Sequence, residues 1–294
     1  MAAGLLRDGL TVGVGVASGM LSAVAGVGGA VVSTPGIRAL GASAFVAVGT
    51  TLPSILPGAA SGTLRYRREG LVDWRLVGWA APSGAAATVA GSLLSHAVPG
   101  QGHLLMLATA ALLALTAVRT VRHRGGPGPG PAPVPASGVP GSPVPASGVP
   151  ASGAGRDGQP GPGRRASFRR AAWPAAVAVG AGAGLLSGLL GVGGGIVLVP
   201  GFGELLGLPI KAAIATSLAC VGILAIPGTV THALLGDIDW RFAALLALGV
   251  VPGARLGAAV AVRAAERPLR LGLGALLGLI AVWYMASELR ALVR

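Results

Sequence analysis

The chain has a single cysteine, Cys220, in 294 residues, which excludes an internal disulfide and any thiolate cluster around a metal. Charge is scarce too. Charged residues make up 11% of the sequence, against roughly 25% in ordinary soluble domains, too few to cover a water-soluble fold of this length. Acidic residues are scarcer still, nine against 22 Lys and Arg, leaving a net charge of +13. Such a balance points to nucleic acid only where the basic residues cluster on one face with aromatics interleaved, and aromatics are 4% of this chain. These absences exclude a disulfide scaffold, a zinc module, a nucleic-acid partner and a typical cytosolic enzyme. What is abundant is apolar side chains, 53%, together with 51 Gly and 22 Pro. That is the composition of an integral membrane protein.

No Asp, Glu, Lys or Arg occurs in 9–37, 39–64, 76–118, 171–203, 212–236, 242–254 or 271–287. A bilayer core about 30 Å thick takes roughly 20 apolar residues in a helix, and 76–118 has room for two passes around Pro99-Gly100-Gln101-Gly102, a turn signal. Strand-like alternation is missing, so helices are the spanning element. The expected segments are 10–34, 42–64, 76–96, 103–121, 173–200, 209–235, 242–262 and 269–289, giving an all-α polytopic membrane protein of about eight transmembrane helices. The first of them, preceded by Arg7, mimics a signal peptide, but the same run recurs in the second half, where no signal peptide stands.

That recurrence is extensive. Gly26-Val27-Gly28-Gly29-Ala30 matches Gly191-Val192-Gly193-Gly194-Gly195 at an offset of 165, with Gly19, Ser22 and Pro35-Gly36 matching Gly184, Ser187 and Pro200-Gly201. At an offset of 166, Thr50-Thr51-Leu52 matches Thr216-Ser217-Leu218, and Asp73-Trp74-Arg75 matches Asp239-Trp240-Arg241. The chain therefore reads as two homologous four-segment halves, 1–124 and 173–294, each opened by a Gly-rich broken helix. Between them, 125–172 holds 12 Gly, 11 Pro and an echo at a spacing of ten, Pro133–Pro140 against Pro143–Pro150. Such a segment buries too little to fold, and a disordered, partly polyproline tether is expected.

The arginines set the orientation. Eight simple passes put 16 basic residues on the linker side and five on the other, with both termini cytoplasmic. If each Gly-rich segment is re-entrant, the halves are inverted and the count is again 16 to 5, but both termini lie outside. Either way the linker is cytoplasmic.

Contiguous glycines cost helix stability, about 1 kcal/mol each, more than close helix packing requires. Gly28, Gly29, Gly193, Gly194 and Gly195 are therefore expected to unwind the helix and open a half-helix whose free N–H groups suit an anion. The spaced pairs Gly15/Gly19 and Gly184/Gly188, and the ladder Gly249, Gly253, Gly257, read instead as packing faces. These are not nucleotide motifs, since Ile196 stands where G-x-G-x-x-G needs its third glycine. The hydroxyls of Thr50, Thr51, Thr216 and Ser217 either line a substrate path or bond back to their own helix. Arg255, the one charge well inside a segment, either attracts an anion or snorkels to the interface. His232, which replaces Tyr66 in the repeat, and His96 sit near segment ends, where a solvated interfacial histidine is the expectation and a proton relay the alternative. Asp73 and Asp239 read as helix caps, each followed by an interfacial Trp.

Two copies of a G-x-x-S-G-x-x-G-x-G-G-G-like segment ending in Pro, then Thr-Ser-Leu, then G-x-(I/V)-D-W-R, resemble the sulfite exporter TauE/SafE family of membrane permeases. The resemblance covers both halves and omits the linker. The first half departs from it, with Ala23 for Gly188 and Ala30 for Gly195. It implies a plasma-membrane transporter that exports sulfite, sulfonates or related small organosulfur anions.

The expected function is thus secondary transport of a small anion by alternating access between two repeats. No ATP motif, cofactor motif or metal-ligand pattern is present, so either coupling falls to an ion, proton or sodium, or to the membrane potential, or the pathway is uncoupled and channel-like. An intramembrane enzyme would need H-E-x-x-H, G-x-S-x-G or paired intramembrane acids, and none occurs. A structural subunit acting through the linker is the remaining alternative. The oligomeric state stays open, a homo-oligomer included.

Overall fold

The computed structural model describes residues 2–95, 97, 162–191 and 193–265, with scattered positions in 107–118 and 271–286. Among the described residues there is no strand. The helices are α1 (Ala2–Ala25), α2 (Ala30–Ala39), α3 (Ala44–Arg68), α4 (Trp74–Ser95), α5 (Pro162–Leu190), α6 (Gly195–Pro200, continued by a π-helical turn, Gly201–Leu205), α7 (Ile210–Leu234) and α8 (Trp240–Arg263). Four of them are long and apolar enough to cross a membrane, over Gly4–Ala25, Trp173–Leu190, Ile210–Leu234 and Trp240–Arg263. Helices α3 and α4, of 25 and 22 residues, have the length, but Thr50, Thr51, Ser54, Thr88, Ser92 and Ser95 dilute their hydropathy and are buried against other helices. The expected segments 103–121 and 269–289 lie largely outside the described residues, as do the linker residues 125–161.

One expectation changes here. Helix α5 begins at Pro162, inside the stretch assigned to the disordered linker. Proline is at home in the first helical turn, and after Gly163 the run Arg164-Arg165-Ala166-Ser167-Phe168 contains no further breaker. The segments 10–34 and 173–200 are each interrupted, between Ala25 and Ala30 and between Leu190 and Gly195, at the glycines where a broken helix is expected.

Close approaches at glycines give the direction of each helix. Along α1 and α8, Gly15 faces Leu246 and Gly249, Gly19 faces Val250, and Gly257 faces Met20, so the two run parallel. Along α5 and α4, Gly180 faces Ala80, Gly184 faces Gly84 and Gly188 faces Thr88, again parallel. A Cβ at most of these positions would strike backbone atoms of the facing helix, so the small-residue stripes are packing faces, as in other close membrane helix pairs. Helix α3 runs parallel to α8, with Gly49 at Asp237 and Gly58 at Val250, and α7 runs parallel to α4, with Leu224 at Gly84 and Gly228 at Thr88. Helices α3 and α7 cross antiparallel, since Leu52, Ala59 and Gly62 meet Gly228, Gly222 and Leu218 in turn.

The short helices reverse the chain. Gly29 lies against Ser18 and Ser22 and Gly36 against Val14, so α2 folds back along α1. Gly194 against Ala183 and Gly201 against Val179 show the same return of α6 along α5. Helices α1 and α3 therefore start at the same end of the bundle. That excludes 10–34 and 42–64 as two successive opposite passes.

The core is built where α3 and α7 cross, around Leu52, Tyr66, Phe202, Leu218 and Leu224, all fully buried. Large apolar side chains such as Trp79, Val230, Leu248 and Leu256 face outward. The start of α8 is capped by Asp239, whose Oδ1 accepts the N–H groups of Arg241 and Phe242 at 3.0 and 3.2 Å, and Asp73 does the same for Arg75 and Leu76 at 3.0 and 3.3 Å. Trp74 and Trp240 beside them are exposed.

Candidate functional site

The two breaks have the same backbone. Gly26, Gly28 and Gly29 take φ of 69°, 91° and 70°, and Gly191, Gly193 and Gly194 take 63°, 81° and 68°. Only glycine enters this left-handed region at no steric cost. In each tip a tight turn follows: the Ala30 N–H donates to Gly28 O at 2.7 Å, and the Gly195 N–H to Gly193 O at 2.8 Å. The glycine carbonyls take most of the first N–H groups, Val32 and Ser33 donating to Gly29 O and Val197 and Leu198 to Gly194 O, and the partial positive charge of a helix start lies at each tip.

The tips touch. A Cβ on Gly28 would lie 3.5 Å from Gly193 O, and one on Gly193 would lie 3.5 Å from Val27 O. Gly195 takes no positive φ. It is glycine because a Cβ there would collide with Gly26 and Val27. Val221 of α7 packs against both tips, and Ile55 of α3 packs against the Gly193 tip. The junction is fully buried, with Val27, Ala30, Ile196 and Val221 each almost wholly out of solvent.

Four hydroxyls tie the halves together, in two reciprocal pairs. Ser217 donates to Gly26 O at 2.7 Å, and Thr51 lies 3.4 Å from Gly191 O while also donating to Val48 O at 2.9 Å. Thr50 Oγ1 accepts the Asp239 N–H at 2.9 Å, and Thr216 Oγ1 accepts the Asp73 N–H at 3.0 Å. Of the four, Thr51 makes the bond back to its own helix, and each of the four also reaches across to the other half. Gly28, Gly29, Gly193, Gly194, Gly195, Thr51 and Ser217 are thus brought together at the tips, and Thr50 and Thr216 bind the loops that start α8 and α4. Arg255 is not brought there. Its side chain is exposed on α8, away from the Gly253/Gly257 face that packs on α1.

A second polar group lies behind the tips. His232 is fully buried, not solvated at an interface as expected from its place near a segment end. Its Nδ1 stands 2.9 Å from Asp237 Oδ2 and its Nε2 3.5 Å from Gly188 O, in the last turn of α5. In the first half Tyr66 donates to Ala23 O, in the last turn of α1, at 2.5 Å. Asp237 was missed by the sequence reading, although the offset that pairs His232 with Tyr66 pairs Asp237 with Leu71, a carboxylate where the repeat has an apolar residue. His96 falls outside the described residues. Among the described residues, Ser187, buried one turn before the break, has no hydrogen-bond partner for its hydroxyl.

Comparison with known proteins gives the family. The family "Sulfite exporter TauE/SafE" matches residues 11–284. A "Probable membrane transporter protein" of Xylella fastidiosa (strain 9a5c) is 24% identical over 256 residues, 86% of this chain and 85% of that protein. "Probable membrane transporter protein YunE" of Bacillus subtilis (strain 168) is 39% identical over 77 residues, which cover 26% of this chain and 28% of the relative. A match to "Probable membrane transporter protein MJ0441" of Methanocaldococcus jannaschii covers 35% of the chain and 41% of that protein at 26% identity. No solved structure matches the chain.

Proposed function

The chain belongs to the sulfite exporter TauE/SafE family, and from that membership we propose that it carries small sulfur oxyanions, sulfite or sulfonates, across the plasma membrane. It is a multi-pass membrane transporter. The observation that supports the substrate class is the meeting of two helix starts, α2 and α6, at one buried junction. Two helix N-termini with hydroxyls beside them favour a small anion without a fixed positive charge, and a site free of fixed charge releases its substrate as readily as it takes it.

The helix directions support an inverted pair of repeats. An axis that exchanges antiparallel α3 and α7 lies across them, so the two halves enter the membrane from opposite sides. Each hairpin, α1–α2 and α5–α6, then enters and leaves on one face. The basic residues place the linker inside and both termini outside. Asp8 and Arg241, 2.7 Å apart, mark one face, and Lys211, which donates to Val262 O at 2.8 Å, marks the other. Alternating access follows as a rocking of the two hairpins about the α3–α7 crossing, each hairpin opening the junction to its own side. A proton or sodium ion supplies the coupling.

The test is efflux of sulfite, taurine and methanesulfonate from proteoliposomes, with and without a proton gradient. Flux of one of these that Gly28→Ala and Gly193→Ala both reduce is the expected result. Absence of flux for every sulfur oxyanion would refute the substrate class, and flux indifferent to both substitutions would refute the site.

A further inference from the structure

The last four carbonyls of a helix have no partner within it. In both hairpins the long helix ends at a glycine break, and a ring from the third helix of the same half reaches one of those carbonyls. Tyr66 reaches Ala23 O and His232 reaches Gly188 O, equivalent positions at the repeat offsets. The turn after each ring is also the same, with the Leu71 N–H on Tyr66 O at 3.1 Å and the Asp237 N–H on His232 O at 3.0 Å. The halves differ only in what can titrate. A phenol donates its one proton to the carbonyl at any physiological pH. An imidazole placed between a carboxylate and a carbonyl does not.

Proton counting makes the difference definite. A neutral imidazole has one N–H for two acceptors, Asp237 Oδ2 and Gly188 O, so one ring nitrogen turns a lone pair toward an oxygen. One more proton on the pair lets both contacts be hydrogen bonds at once. The contact to Gly188 O, at 3.5 Å, is longer than the Tyr66 bond. We propose that His232 and Asp237 form a proton-binding site that latches the second hairpin through the Gly188 carbonyl. The latch rests on the hairpin geometry. It adds to the transport reading a coupling ion, the proton, and a place for it in one half only.

His232 and Asp237 lie near one end of the bundle. Among the described residues, the charged groups at that end are Arg7 and Asp8 of α1, Arg38 of α2, and Asp239 and Arg241 at the start of α8. Helices α3, α4 and α5 bring no charged side chain from 44–64, 76–95 or 173–190. Helix α3 meets the Asp237 backbone at Gly49, and the register of α4 on α7 sets Ser92 level with His232.

The test is hydrogen exchange of the purified full-length protein from about pH 5 to about pH 8, the histidine range, comparing the stretch 183–191 with its equivalent 18–26 as an internal control. No substrate is needed, so failure here and failure of sulfur-oxyanion transport are separate results. In the wild type, protection of 183–191 relative to 18–26 should fall about tenfold as pH rises, the loss of one charge-assisted bond. The double variant His232→Tyr with Asp237→Leu copies the first half and should hold protection constant with pH. Asp237→Asn takes away the carboxylate of the pair and should shrink the change in protection with pH. A wild-type ratio that does not change with pH overturns the proposal, as does a double variant that keeps the wild-type profile.

Discussion

Thr50 Oγ1 accepts the backbone N–H of Asp239 from 2.9 Å, across 189 positions of sequence. The same bond exists in mirror form between Thr216 and Asp73, at 3.0 Å. In each half a hydroxyl at the start of the third helix holds the loop that starts the fourth helix of the other. The two halves are stitched at symmetric points rather than stacked.

Thr50→Val and Thr216→Val should therefore each destabilise the protein by about 1 kcal/mol, the worth of one buried hydrogen bond. Thr→Ser at either position should cost much less. Thermal unfolding in detergent reads both, and a large effect at one site with none at the other would show that the two bonds are not equivalent.

Among the helix-packing glycines, Gly182 and Gly184 make a matched pair. A Cβ at Gly182 meets nothing within 4 Å, whereas one at Gly184 would strike the Gly84 backbone of α4. Gly182→Val should yield protein that runs as a single symmetric peak in gel filtration. Gly184→Val should aggregate or lose most of its yield, since separating two backbones in contact costs about 1–3 kcal/mol or more.

At the hairpin tips strain adds to crowding. Gly28→Ala places a side chain at φ 91° and within 2.7 Å of Val221, and Gly193→Ala does so at φ 81° with Ile55 at 3.3 Å. The left-handed conformation alone costs about 1–2 kcal/mol. Both variants should transport less than Gly13→Ala, whose added methyl meets nothing within 4 Å. Initial efflux rates normalised to reconstituted protein would decide this.

The topology is tested by labelling. With Cys220→Ala as background, single cysteines at Gly4 and Leu292 should react with an impermeant maleimide from outside intact cells, and one at Ser142 only after the membrane is opened. Labelling of all three from the same side would contradict the inverted arrangement.

Deleting 130–158 removes most of the Pro/Gly-rich linker and stops short of Pro162, where α5 begins. Transport should persist if that stretch is a tether, and its loss would favour a partner site in the linker.

Much of this was legible in the sequence because it depends on local chemistry. Contiguous glycines at 28–29 and 193–195 cannot continue a helix, and the helices do break there. Asp before Trp-Arg is a cap, and Asp73 and Asp239 do cap their helices. Other features were not legible because they depend on where a segment goes after it breaks. Hydropathy treats 10–34 as one apolar window. It does not register that Gly29 and Gly36 return along α1, against Ser22 and Val14. His232 was read by its distance from a segment end, which says nothing of the fold packed over it.

The scarcity of charge, the spacing of the glycines and the offset between the halves together determined a helical membrane protein with two interrupted helices. These are properties of a chain in a bilayer, where each backbone group must be satisfied close to home. Direction was decided only by the tertiary structure. Whether α1 and α3 run parallel, which carbonyl a hydroxyl reaches, and whether a histidine meets water or Asp237 all depend on contacts between residues far apart in sequence. No local pattern encodes those contacts.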